Sequence, residues 1–178
     1  MEQMFEKVLA TIEKAGTVVT GAAAIENAKA RQPRRFISDT MFSPNDIVEI
    51  PALTDSEYWV DAPAVVGGDP VFGPLCRVVS TLEDGSTRTR VQRSYLGNFL
   101  KELRDRDTNE YRCNRLLDAS GAAITFDDCA DQVEQWTKLA GRKFKVTSID
   151  TVKTVKRHRK TMVLYDADGT LTNWQEIA

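Results

Sequence analysis

Residues 141–166 read GRKFKVTSIDTVKTVKRHRKTMVLYD, and the way this stretch folds decides how the rest of the chain is read. Phe144 and Val146 alternate with Lys143 and Lys145, the period of a strand with one buried face. Ile149 breaks the alternation and Val152 restores it, a one-residue slip of face that predicts a β-bulge near Ser148. The strand ends at a basic corner, residues 156–160, and Met162 and Leu164 are then expected to point inward on a partner strand. The stretch reads as the last hairpin of a small barrel, its cations turned toward a polyanion. Bulges are the device by which a sheet curls toward closure.

Outward from this hairpin, Phe126, Cys129, Ala130, Val133, Trp136 and Ala140 fall at helical spacing. Thr125 and Asp128 approximate a capping box at the start of that helix, and Gly141 is its C′ residue. Residues 75–82 and 87–93 flank Glu83-Asp84-Gly85-Ser86, a second hairpin with Asp-Gly at its tip. Residues 43–46 form a turn and residues 47–50 a short strand ended by Pro51. Ser94 is expected to cap a helix to about residue 104, with Tyr95, Leu96, Phe99, Leu100 and Leu103 inward. Residues 101–112 read as an exposed connection, and residues 113–125 as irregular with a short strand about 122–124. At the N-terminus, residues 2–14 are an amphipathic helix, and Thr20 caps a second helix that Pro33 stops. The apolar pairs Phe36-Ile37 and Met41-Phe42 suggest a strand. Residues 51–74, with four prolines and Gly67-Gly68, read as a loop.

The sum is an α+β chain of one domain, 1–178: a helical section over 1–33, then a β-rich barrel with inserted helices over 34–178. Strand, strand, strand, helix, strand, strand is the order of the OB barrel.

Composition narrows the function. The 178 residues are 42% hydrophobic and 28% charged, ordinary for a soluble globular protein. No apolar run reaches the ~18 residues of a membrane helix, and the opening MEQMFEKV lacks the blocks of a signal peptide. The expected setting is host cytoplasm or a virion, away from membranes. Cys76, Cys113 and Cys129 are odd in number and lack CxxC spacing, which argues for reduced thiols and against a disulfide framework or a zinc site. His158, the only histidine, lies among cations and is poorly placed as a general base. No catalytic set, metal or cofactor is expected.

Net charge is −2, yet the charges are segregated. Lys29, Arg31, Arg34 and Arg35, then Arg88, Arg90 and Arg93, then Lys153, Lys156, Arg157, Arg159 and Lys160 hold 12 of the 24 lysines and arginines. Acids gather instead at Asp55, Glu57 and Asp61, and at Asp127, Asp128, Asp131 and Glu134. Such segregation creates local potentials that the net charge hides.

Residues 163–172, VLYDADGTLT, resemble the first motif of the haloacid dehalogenase phosphatases, in which an apolar strand ends in DxDGT. The resemblance implies Asp166 as nucleophile and Asp168 as acid/base, with Mg²⁺. The chain lacks the succession of βα units that such a sheet needs, so residues 166–169 are expected to form a polar Asp-Gly turn. Phosphatase stands as a third reading. LAGRKFKVTSIDTVKT, TMVLYDADGTLTNWQEIA and FSPNDIVEIP resemble stretches of small uncharacterised proteins from Bacteroidales genomes and their phages. That resemblance implies a phage or mobile-element origin and carries no residue roles.

The expectation is a phage-type, sequence-tolerant, non-catalytic protein that binds single-stranded nucleic acid. Arg88, Arg90, Arg93, Lys143, Lys145, Lys153, Lys156, Arg157, Arg159 and Lys160 would lie on phosphates. Trp59, Tyr95 and Tyr165 would be stacking platforms, with Tyr58 and Trp174 in the wider set. The alternative is a virion structural or assembly protein whose basic runs meet acidic patches, such as residues 127–134, of other virion or replication proteins or of its own copies in a homo-oligomer.

Overall fold

A computed structural model of the chain describes residues 2–13, 18–31, 42–63 and 70–178. In chain order the elements are α1 (Glu2–Glu13), β1 (Val19–Thr20), α2 (Ala22–Lys29), β2 (Ile47–Glu49), β3 (Trp59–Ala62), β4 (Val71–Thr81), β5 (Thr87–Arg93), α3 (Gly97–Leu100), β6 (Glu102–Arg104), β7 (Tyr111–Cys113), β8 (Arg115–Leu117), α4 (Gln132–Leu139), β9 (Lys143–Arg157) and β10 (Leu164–Ile177). The class is α+β and mostly strand. The path β1-β3-β4-β2-β9-β10-β8 forms one sheet, to which β5 adds along β4, while β6 and β7 pair by themselves.

The expected OB-like barrel is not confirmed, because the sheet is not closed among the described residues. The far edge of β10 is taken by β8, which runs parallel to it from Asn173 to Gln175, and no described pairing joins β8 to β1 or β5.

Aromatic side chains fill the core. Trp59 stacks on Phe72 at 5.3 Å and meets Trp136 edge-on at 5.6 Å. Phe99 lies 4.9 Å from Trp174. Each such pair adds about 0.5–1.5 kcal/mol beyond its buried area. The indole N–H groups stay satisfied: Trp59 donates to Ala52 O at 3.0 Å and Trp174 to Asn98 O at 3.0 Å. A second cluster, Val60, Ala62 and Leu75, is covered by Phe5 and Val8 of α1.

Several expected elements are present: α1, the turn at Ser43–Asp46 with Asn45 at φ 71°, β2, and the hairpin β4–β5 with Gly85 at φ 82°. Others change. β1 and Gly21 precede α2, so Thr20 is strand and not a cap. The helix expected from Ser94 to about 104 is one turn, α3, because Leu103 is drawn into β6 to pack with Val152 and Leu171. The exposed connection at 101–112 is largely the β6–β7 hairpin. Its loop closes through Asp105, whose carboxylate accepts from the Asp107 amide at 2.9 Å, and through Asn109 at φ 62°.

The loop expected over 51–74 contains β3 and the start of β4. Pro74 sits where β4 leaves β3 and takes up β5, a join where its missing N–H costs little. Helix α4 starts at Asp131, which accepts from the Glu134 amide at 2.8 Å, rather than at Thr125. Gly141, at φ 77°, does end it. The expected strand around Phe36 to Met41 lies outside the described residues.

Candidate nucleic-acid interface

The opening hairpin is longer than the core that covers it. β2 pairs with β9 only at Lys143 to Lys145, and β8 with β10 only at Asn173 to Gln175. Beyond these points β9 and β10 are paired chiefly with each other, and they run on as a two-stranded ribbon to Arg157 opposite Leu164. The predicted bulge is there: Val146 faces Trp174 and Ser148 faces Asn173, which leaves Thr147 as the extra residue. It moves the inward parity from Phe144 and Val146, in the main core, to Ile149, half-buried against it. Val152 therefore lies on the opposite face, buried against Leu103 and Leu171.

The β6–β7 hairpin braces the ribbon at this level. The Arg106 amide donates to Lys153 O at 2.8 Å, and the Arg106 guanidinium pairs with Asp166, which raises its pKa further. Sequence reasoning missed this clamp, because a charged segment carries no periodicity that marks it as a hairpin.

The Asp-Gly turn expected at 166–169 is corrected. Asp166 to Gly169 lie inside β10, opposite Val155 to Val152. A Cβ on Gly169 would stand 2.6 Å from Leu103 Cδ1; the glycine serves close packing and not a turn. In the dehalogenase motif the strand ends at these acids, whereas β10 continues to Ile177. Met162 and Leu164, expected inward, are each 58% exposed, since they lie past the end of the core.

The expected cations do not form one surface. Arg88 and Arg90 face Ser80 and Val78, on the side of the sheet that Val48 and Phe144 share. Lys143 and Lys145 face Glu49 and Ile47, on the other side. Many cations are also engaged. Lys143 lies 3.5 Å and Arg77 3.3 Å from Glu49. Arg90 donates to Ser80 Oγ at 2.7 Å and to Gln92 Oε1 at 3.1 Å, and lies 3.7 Å from Asp46. Arg93 donates to Val71 O and lies over the Tyr95 ring at 5.0 Å; burial lowers its pKa. Of the N-terminal cluster, Arg31 holds Asp61 through two bonds of 2.8 and 2.7 Å, Lys29 pairs with Glu26 at 3.0 Å, and Arg34 and Arg35 lie outside the described residues.

Arg88, exposed, and Lys145, half-buried, have no ion pair among the described residues, but only one group gathers several such cations. Lys153, Arg157, Arg159 and Lys160 are exposed and Lys156 half-buried, and among the described residues none of the five has an ion pair. Lys153 and Arg157 stand on one face of the ribbon, opposite Asp168 and Leu164, and Lys156 on the other, opposite Tyr165. Arg159 and Lys160 lie in the connection between the strands, where the His158 amide donates to Val163 O at 2.9 Å. The two faces meet at this apex.

The stacking candidates divide as sharply. Trp59 is fully buried, which removes it as a platform, and Trp174 is core as well. Tyr58 packs edge-on against Phe5 at 5.3 Å, and Tyr95 lies under Arg93. Tyr165 is 47% exposed and sits directly across from Lys156. Tyr111 on the bracing hairpin, passed over in the sequence, is 66% exposed.

Among the described residues no group of acids, histidines and cysteines could hold a metal ion, and no helix is long and apolar enough to cross a membrane. No protein-family model, curated protein or solved structure matches the chain.

Proposed function

We propose that this protein binds single-stranded nucleic acid, without catalysis and with little sequence preference, through the apex of the β9–β10 ribbon. The observation that carries the reading is the gathering of Lys156, Arg157, Arg159 and Lys160, with no ion pair among the described residues and no acid between them, at the end of a projecting ribbon. Cations left without protein partners are available to phosphates, and Tyr165 beside Lys156 offers a face on which a base stacks. A curled, OB-like continuation of the sheet would add a concave wall, but the apex cations are in place without it.

A second reading, an assembly protein of a virion, draws on Met162, Val163 and Leu164, exposed together at the same apex; such a patch suits a protein partner. Filter binding of a mixed-sequence single-stranded oligonucleotide across a salt series tests the first reading. Each neutralised phosphate of a single strand contributes a slope of about −0.7 in log K against log salt, so four cations give about −3. No retention at low salt rejects it. A multimer that persists at high salt in light scattering, with no oligonucleotide bound, favours assembly.

A further inference from the structure

The apex of the ribbon carries more than charge. Met162, Val163 and Leu164 are 58%, 60% and 58% exposed, and Val155 behind them is 44% exposed. Apolar side chains gathered in water at one point mark a contact site. The turn that presents them is closed by its own backbone: the His158 amide donates to Val163 O and the Met162 amide to His158 O, each at 2.9 Å. The Thr161 amide adds a bond to His158 Nδ1 at 3.3 Å. Met162 sits at φ 59°, a left-handed conformation that residues other than glycine seldom adopt. The fold thus holds this side chain at the leading end of the ribbon in spite of backbone strain.

Cations and apolar groups lie side by side on both faces. Arg157, Val155 and Leu164 share one face, and Lys156 and Tyr165 share the other. Arg159 and Lys160 lie in the turn with Met162. The acids of the first face stand further from the tip: Asp166 is held by Arg106, and Asp168 lies across from Lys153. This charge pattern chooses the occupant. A lipid surface would take in the turn first, and with it two charges that hydrocarbon disfavours. A protein partner would have to set acids on two opposed sides of an apolar slot. Nucleic acid has phosphates on both sides of stacked bases by construction.

We infer that the apex is a wedge for the junction at which a duplex opens into two single strands. Met162 and Leu164 lie against the last base pair, and one departing strand follows each face of the ribbon. The inference rests on the ribbon reading and names the substrate of that same site. Paired strands of a ribbon lie about 4.8 Å apart, narrow enough for a ribbon to enter a duplex groove about 12 Å wide, and so to stand between strands that have parted. Met and Leu are among the side chains that proteins insert between bases to unstack them. Arg157 on one face and Lys156 on the other give each departing strand a cation, and Tyr165 gives one of them a stacking surface.

Fluorescence anisotropy of the full chain at low salt compares three labelled probes of equal nucleotide number: a single strand, a blunt duplex and a fork with two unpaired arms. A fluorescent adenine analogue in the base pair next to the arms reports unstacking. The fork is expected to bind at least about fivefold more tightly than the single strand, and the analogue to brighten at least about twofold. Met162→Asn with Leu164→Thr removes the apolar wedge, yet keeps a residue that accepts the left-handed turn and a strand former after it. That variant should lose both the fork preference and the brightening at an unchanged melting temperature. A fork bound no better than the single strand overturns the inference and leaves the ribbon reading standing, as does a variant that keeps both signals. Absence of all oligonucleotide binding overturns the two together. A dark analogue in the parent, with vesicles of anionic phospholipid bound by the parent and not by the variant, would assign the apolar tip to a membrane and end the inference. A multimer that the same two substitutions break up, again with a dark analogue, would assign it to a protein contact with the same result.

Discussion

The two hairpins β4–β5 and β9–β10 carry the same signature, cations alternating along a strand pair, and they use it in opposite ways. In β4–β5 the neighbours supply partners for two of the three arginines: Ser80, Gln92 and Asp46 for Arg90, the Val71 carbonyl and the Tyr95 ring for Arg93; Arg88, toward the tip, is exposed and has no ion pair among the described residues. In β9–β10 the flanking strands stop early, so the outer half has only its own partner strand and the bracing hairpin β6–β7 beside it. A positive run in a sequence is therefore an inventory of charge and not yet a surface. Whether the charge is free is decided by how far the sheet extends around it.

The largest effect that would break this contrast is on binding. Replacing Lys156, Arg157, Arg159 and Lys160 together by alanine should weaken a single-stranded oligonucleotide on the order of 100-fold at 50 mM salt, since this electrostatic attraction supplies most sequence-independent affinity. The melting temperature should stay within about 2 °C, because exposed charges away from caps and networks contribute little to stability. Fluorescence anisotropy with a labelled strand measures the first and calorimetry the second. A large drop in stability with unchanged affinity would reverse the roles of the two hairpins.

The converse substitution is smaller and acts on the fold. Arg93→Ala removes a donor to the Val71 carbonyl and the cation over Tyr95. A hydrogen bond from a charged group is worth about 1.5–3 kcal/mol, so urea unfolding should show a loss of about 2 kcal/mol. Oligonucleotide affinity should change by no more than about twofold. If binding fell as it does for the ribbon variant, Arg93 would belong to the interface after all.

Much of the local grammar was legible in advance, and the errors have identifiable causes. The bulge was readable because one slipped residue reverses every side chain after it. The tip of β4–β5 was readable because Asp84-Gly85 lies between two runs rich in β-branched residues, 75–82 and 87–93. Asp168-Gly169 has the same letters but sits mid-strand, since its glycine answers to Leu103 far away in the chain; dipeptides cannot report that. Pro74 made the start of β4 look like a loop. The true helix start, Asp131 with Glu134, was on view as a capping box and lost to an earlier look-alike at Thr125. For the candidate interface, the basic run 156–160 was visible as charge in the sequence, but its separation from Arg88, Arg90, Lys143 and Lys145 depends on strand register across β5, β4, β2 and β9, which no single segment encodes. Trp59 could not be told from a platform because an aromatic in a strand looks the same on either face.

The smallest test touches neither binding nor stability and reads the contrast through sulfur. Cys76 lies in β4, fully buried, and burial pushes its thiol up to about 12, outweighing the opposite pull of the nearby Ser94 hydroxyl. Cys113 lies in β7, on the hairpin that braces the ribbon, and is exposed. The thiolate is the reactive form. At pH 8 a thiol near 12 is ionised to about one part in ten thousand, and the reagent has no path to it. Cys113 should therefore react with a disulfide reagent within minutes in the native protein, while Cys76 reacts only once urea opens the β4–β5 side. Mass spectrometry of the labelled peptides assigns each site. If Cys76 reacted natively while Cys113 did not, the sheet around β4 would be the loose region and the brace the closed one. The arginines of β4–β5 would then have as good a claim to be free as the cations of the apex.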